Sequence, residues 1–165
     1  MTAQTTPSPV PPAPAPTPAP SPLFHHIALT CKDPIAVEHF YTRYFGFRRA
    51  RVAPLDGGKQ IVFIRSGGMY LELFASDDPA PVPAGTADGP HHPGVRHIAF
   101  KVDNLEATLA LMGDDLKRRI TLGPLDFSGF IPGWRTCWLS DPEGNIVEIS
   151  QGFLDQENPP ALAAE

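Results

Sequence analysis

The chain has 165 residues, 42% of them apolar and 19% charged, with a formal net charge of -5. This composition suits one globular domain and excludes a large multidomain assembly; no apolar run approaches the ~20 residues of a membrane-spanning helix. Residues 23–152 carry 15 acids against 13 bases, a net of -2, too close to neutral for a broad pull on nucleic acid or an anionic membrane.

Residues 1–22 contain nine prolines and no charged side chain. Proline removes backbone donors and holds the chain near polyproline II, so this stretch reads as a disordered or semi-rigid tail. It has neither the basic start nor the apolar stretch of a secretory signal, and a cytoplasmic location is expected. The folded part begins at Leu23. Phe24–Cys31 has strand composition, and Asp33 before Pro34 reads as an N-cap with proline in the first turn. Val37, Phe40, Tyr41, Tyr44 and Phe45 follow at helical spacing until Gly46 stops them. Strands are expected over Phe47–Val52, Gln60–Arg65 and Met69–Phe74, separated by Gly57-Gly58 and Gly67-Gly68. Residues 77–94 are rich in Pro and Gly and read as a linker.

The order then repeats. Val95–Val102 reads as a strand, and Asp103 with Glu106 three residues on resembles a capping box. Leu105, Leu109, Met112 and Leu116 make one helical stripe, followed by basic residues that favour a helix C-terminus. Strands near Ile120–Leu122, Trp134–Ser140 and Ile146–Ser150 complete the unit, with a turn at Asp141–Asn145. Residues 153–165 form a C-terminal tail. The repeat is visible in the letters: His26-Ile27-Ala28-Leu29 matches His97-Ile98-Ala99-Phe100, and Leu71-Glu72-Leu73 matches Val147-Glu148-Ile149. Two βαβββ modules, 23–76 and 95–152, are therefore expected, each too small to hold a core alone.

Each module offers one His from its first strand and one Glu from its last. Strand parity sets His26 with Ala28 and Thr30, and His97 with Ala99 and Lys101; each Glu points opposite to its two apolar neighbours. A two-fold pairing of modules could gather His26, Glu72, His97 and Glu148 into an N/O donor set suited to Zn²⁺, Ni²⁺, Co²⁺, Fe²⁺ or Mn²⁺. His25 is the alternative ligand if the register differs by one residue. His39, His91 and His92 are expected to lie away from the metal. Cys31 and Cys137 are too few for a disulfide framework and lack metal-motif spacing.

The segments HHIALT, DPIAVEHFYTRYFGF, YLELF, RHIAFKVDNLE and DPEGNIVEI together resemble the vicinal oxygen chelate superfamily, which includes glyoxalase I, methylmalonyl-CoA epimerase, extradiol dioxygenases and antibiotic-resistance proteins. The resemblance spans residues 23–152. It implies an α+β fold in which tandem βαβββ modules form a curved, open mixed sheet with helices on the outer face. One divalent metal ion per site is implied at His26, Glu72, His97 and Glu148, a set similar to that of glyoxalase I. Thr30 and Ser76 depart from glyoxalase I, which usually has Arg and Asn there, and Glu72 replaces the Gln usual in the epimerase. The expected chemistry is isomerase, lyase or epimerase action through an enediolate on a small substrate with adjacent oxygens, Glu148 or Glu72 being the base. Thr30, Lys101 and Trp138 are candidate substrate contacts. The other expectations are an Fe(II) dioxygenase using His26, His97 and Glu148, or a non-catalytic drug-binding protein. A homodimer is expected, with no nucleic-acid or membrane partner.

Overall fold

A computed structural model describes residues 23–76, 84–91 and 93–160; the proline-rich tail, His92 and the start of the linker lie outside the described residues. The first module runs β1 (His26–Cys31), α1 (Pro34–Phe45), β2 (Arg48–Pro54), β3 (Gln60–Ser66) and β4 (Met69–Ala75). The second runs β5 (Ile98–Lys101), α2 (Leu105–Lys117), β6 (Ile120–Asp126), β7 (Arg135–Ser140) and β8 (Ile146–Gln151). Each forms one four-stranded mixed sheet, ordered β1-β4-β3-β2 and β5-β8-β7-β6. The tandem βαβββ fold is thus as expected, built as two open sheets. No helix among the described residues is long and apolar enough to cross a membrane.

α1 forms where its caps dictate. The Asp33 carboxylate accepts from the Ala36 N–H at 3.0 Å, Pro34 occupies the first turn, and Gly46 turns left-handed at φ 67° to end it. α2 corrects the capping expectation. Its N-cap is Asn104, whose side chain accepts from Ala107 N–H at 2.8 Å, one residue later than Asp103. Glu106 has no box to close and pairs with Arg135 of β7 at 2.6 Å. Gly113 breaks the last turn of α2 with φ 68° and ψ -167°.

The two largest differences in strand boundary, at β6 and β5, have physical reasons. β6 continues through Pro124 to Asp126, because it is an edge strand and its ladder shifts register there. β5 starts only at Ile98, because Arg96 is drawn aside to Asp88, 2.8 Å away.

The helix-facing sides of both sheets share one core. Val37, Phe40 and Tyr41 of α1 belong to the same buried cluster as Val62, Ile64, Leu71 and Leu73, and as Leu105, Met112, Leu116, Leu139, Val147 and Ile149. Phe100 of β5 links the modules, its ring 4.4 Å from that of Phe45 and 5.9 Å from that of Phe47. A polar link runs beside it. Tyr41 donates to Asp141 at 3.1 Å, and the same buried carboxylate accepts from the backbone N–H of Glu143 and Asn145 and from the Asn145 amide, each at 2.9 Å. Burial still pushes the Asp141 carboxyl above its ordinary value of 3.8.

Asp141→Ala should therefore cost about 1–3 kcal/mol in urea unfolding, because it leaves several buried donors unmet. Asp141→Asn removes the titrating group and replaces one accepting oxygen with a donor amide. A carboxyl raised in the folded state favours folding most at low pH, so the stability of the native chain relative to this variant should fall as pH rises above 3.8.

Candidate metal centre

Parallel pairing of first and last strands sets His beside Glu in both modules. Ala28 lies opposite Glu72 and Ala99 opposite Glu148, so each His sits two residues before the partner of its Glu, on the same sheet face. The apolar neighbours of each Glu are buried on the helix side, as parity predicts: Leu71 and Leu73, Val147 and Ile149. The side chains meet accordingly. His26 Nε2 is 3.3 Å from Glu72 Oε2, and His97 Nε2 is 2.8 Å from Glu148 Oε2.

The second pair is the more tightly held. His97 Nδ1 faces the Asp88 carbonyl at 2.8 Å and can only donate to it, which leaves Nε2 to face the carboxylate. A histidine fixed through Nδ1 by a backbone carbonyl is the usual support for a metal-binding Nε2. Glu148 is 7% exposed, and its Oε1 accepts from the Thr136 hydroxyl at 2.8 Å. In the first module His26 Nδ1 contacts His25 Nδ1 at 2.8 Å, and His25 stacks on Tyr70. His25 thus supports His26, and it is His26 that faces Glu72. Glu72 lies opposite Phe63 on β3 as Glu148 lies opposite Trp138 on β7. Two residues earlier the modules differ: Thr136 on β7 corresponds to Ile61 on β3, so Glu72 has no matching hydroxyl.

Both pairs offer one imidazole nitrogen and one carboxylate, the donor chemistry a borderline divalent cation takes. Among the described residues no group of three or more His, Cys, Asp or Glu converges, so the structure brings together two pairs, each half of the expected four-residue set, and not the whole set. The cysteines do not contribute. Burial pushes the Cys31 thiol up to about 12 and the Cys137 thiol up to about 11, leaving little thiolate near neutrality.

The remaining candidates fall around these pairs. Trp138 is 6% exposed, its ring centroid is 6.3 Å from that of His97, and its buried Nε1 has no hydrogen-bond partner among the described residues. That unmet donor beside the second half-site fits a ligand oxygen. Thr30 is exposed on the His26 face, opposite Phe74. Lys101 shares the His97 face, with Nζ 3.4 Å from the Phe153 carbonyl. His39 and His91 are exposed and in neither pair.

Two supports escape a reading by pattern. Asp88 lies in the expected linker, yet its carbonyl holds His97 and its carboxylate holds Arg96. Gly89 makes that approach possible, because a Cβ there would lie 2.0 Å from the Arg96 carbonyl oxygen. Thr136 carried no signal beyond its parity with Trp138.

A model of the Glyoxalase/Bleomycin resistance protein/Dioxygenase superfamily matches residues 23–149. The chain is similar to the uncharacterised protein YaeR of Escherichia coli (strain K12), 29% identical over 134 residues, covering 76% of this chain and 92% of that one. Among solved structures it is similar to a glyoxalase family protein from Enterococcus faecalis, at 27% identity and a TM-score of 0.58, covering 78% of this chain and 96% of that one. The fold is also that of FosX, a fosfomycin resistance protein from Listeria monocytogenes solved with Mn(II) and sulfate, at 14% identity and a TM-score of 0.56, covering 81% and 94% of the two chains.

Thr136→Val keeps the volume and removes the hydroxyl from Glu148. Divalent-metal affinity, measured by competition with a chelating dye, should drop about 10–100-fold, and the metal-free chain should lose about 1–3 kcal/mol in urea unfolding because buried Glu148 loses its donor.

Proposed function

Because this chain belongs to the Glyoxalase/Bleomycin resistance protein/Dioxygenase superfamily, we propose that it is a metal-dependent enzyme of isomerase, lyase or epimerase type. Its substrate is a small molecule with two adjacent oxygens. The observation that carries this reading is the matched pair of half-sites, above all His97, with one ring nitrogen on the Asp88 carbonyl and the other on Glu148. Drug-sequestering relatives have no need of such a set.

His26, Glu72, His97 and Glu148 would hold the ion, with Zn²⁺, Ni²⁺, Co²⁺, Mn²⁺ and Fe²⁺ all compatible with two imidazoles and two carboxylates. Mn(II) in FosX supports a divalent ion on this fold. When bound, such an ion supplies a Lewis acid for the charge that develops on the substrate oxygens. The carboxylates divide the remaining work. Glu148 is buried and tied to Thr136, which suits it to hold its position. Among the described residues Glu72 has no hydroxyl donor, which suits it to leave its contact and take the proton from the carbon beside a carbonyl. Delivery of that proton by Glu72 to the neighbouring carbon gives isomerisation; epimerisation needs a different proton, delivered to the same carbon from the other face by a second acid, for which Glu148 is the candidate. Trp138, beside His97, would wall the substrate pocket.

Two donors per half-site are too few for such an ion, and this supports assembly from two copies. In a two-fold dimer His26 and Glu72 of one subunit would meet His97 and Glu148 of the partner subunit, completing two equal centres.

Elemental analysis of tag-free protein purified without chelator tests the chemistry. About one Ni, Zn, Co or Mn per chain is expected, and His26→Ala or Glu148→Ala should remove most of it, whereas His92→Ala should not. Iron with substrate-dependent oxygen uptake would replace this reading with a dioxygenase, and no metal uptake at all would leave a binding protein. Mixing unfolded His26→Ala and His97→Ala chains and refolding them tests the dimer. One intact centre forms in each mixed dimer, so about a quarter of the native metal content should return. Sites built within one chain would regain none.

A further inference from the structure

The open face of the first module carries a cluster of arginines that the metal chemistry does not use. A cleft of about 620 Å³ lies along β2, β3 and β4, and His25, Arg48, Arg51, Phe63, Arg65 and Tyr70 line it together with Arg49 and Ala50. Among the described residues no carboxylate lines it. Sheet geometry accounts for the concentration of charge. Arg48 lies opposite Arg65, and Arg49 opposite Ile64, after which the register shifts and Arg51 lies opposite Phe63. Phe63 and Arg65 share one face of β3, so the bulge at Ala50 brings Arg51 to the same face as Arg48. In a regular strand residues three apart would point to opposite faces. Two arginines directly opposite each other are unfavourable for the sheet alone.

The arginines differ in what holds them. Arg49 is engaged by Glu38, forming two hydrogen bonds with its carboxylate. Arg65 donates Nε to the Gly67 carbonyl at 2.7 Å and lies over the Tyr70 ring, keeping the far end of its guanidinium for another partner. Among the described residues Arg48 and Arg51 make no hydrogen bond or ion pair. The cleft adjoins the first half-site: the Phe63 ring is 6.3 Å from that of His26, and His25 touches both Tyr70 and His26. Glu72 on β4 and Arg51 on β2 are two strand spacings apart, about 10 Å.

We propose that this cleft binds a phosphoryl or phosphonyl group of the substrate, with Arg48, Arg51 and Arg65 as its donors; the inference rests on the metal-dependent reading of the neighbouring half-site. One guanidinium satisfies a carboxylate. Three forks around an acid-free cleft match a dianion with three oxygens. The substrate is then an anionic molecule whose phosphoryl end lies several bonds from its paired oxygens.

The test is a ³¹P NMR titration of inorganic phosphate into the full chain after chelator treatment, so that no ion can bind the phosphate. Saturable binding is expected. Arg48→Ser with Arg51→Ser should weaken it by about tenfold or more, Arg48→Lys by less, and His39→Ala, away from the cleft, should leave it unchanged. These arginines are exposed on an edge strand, and an unaltered melting curve checks that the variants fold. Absence of saturation, equal binding by the double variant, or equal loss of binding in His39→Ala overturns the proposal. So does a short single-stranded oligonucleotide that displaces phosphate at far lower concentration, because the charge would then serve nucleic acid. Metal uptake measured on untreated samples separates the two readings. Uptake without phosphate binding overturns the cleft alone, and phosphate binding without uptake supports the cleft and removes the metal chemistry.

Discussion

The parallel pairing of the first strand of each module with its last is the constraint from which the rest follows. β1 and β4, like β5 and β8, run in the same direction in register, with Ala28 against Glu72 and Ala99 against Glu148. A parallel connection needs a crossover, and α1 and α2 supply it with β2 and β3, or β6 and β7, completing the return. The crossover helices cover one face of each sheet, so the alternate residues of β4 and β8 become core. Glu72 and Glu148, which lie between those core positions, must project from the other face. A shift of one residue in either ladder would bury the carboxylates under a helix and expose the leucines.

The common core gives that geometry its rigidity. Phe100 enters the aromatic cluster of α1, and Asp141 joins Tyr41 to a turn of the second module, so the two helix-side faces meet through apolar contact and one buried polar knot. The opposite faces are consequently left to hold donors. In the second module that face is partly covered by Phe127 and Trp134, whose rings lie 4.8 Å apart, and by the Asp88–Gly89 turn. The equivalent face of the first module is more open, with His26 40% exposed at its side chain, and there the arginine cleft lies.

What could be read in the sequence is what local pattern controls. The helix spans, the caps at Asp33 and Gly46, the period-two alternation around each Glu and the repeated His-Ile-Ala all depend on residues a few positions apart. Partners supplied from a distance could not be read this way. Nothing in Pro/Gly-rich residues 77–94 announces that the Asp88 carbonyl will hold His97, because that contact depends on Gly89 tolerating the Arg96 backbone. Thr136 reads as an ordinary strand residue until the β7–β8 register puts Glu148 beside it. The start of α2 was ambiguous for another reason: Asp103 and Asn104 are both good caps, and only the helical phase that buries Leu105, Met112 and Leu116 chooses between them. Parity named His26 but could not give His25 its role, since adjacent strand residues point apart and these two meet only through their side chains.

The pairing of Thr136 with Glu148, against Ile61 in the corresponding place beside Glu72, separates the two copies of the module. Glu148 is held at both oxygens, by His97 and by the Thr136 hydroxyl, whereas among the described residues Glu72 meets His26 alone. The internal repeat is thus a symmetry of the backbone that the side chains do not share: duplication has yielded one carboxylate fixed in its rotamer and one free to turn.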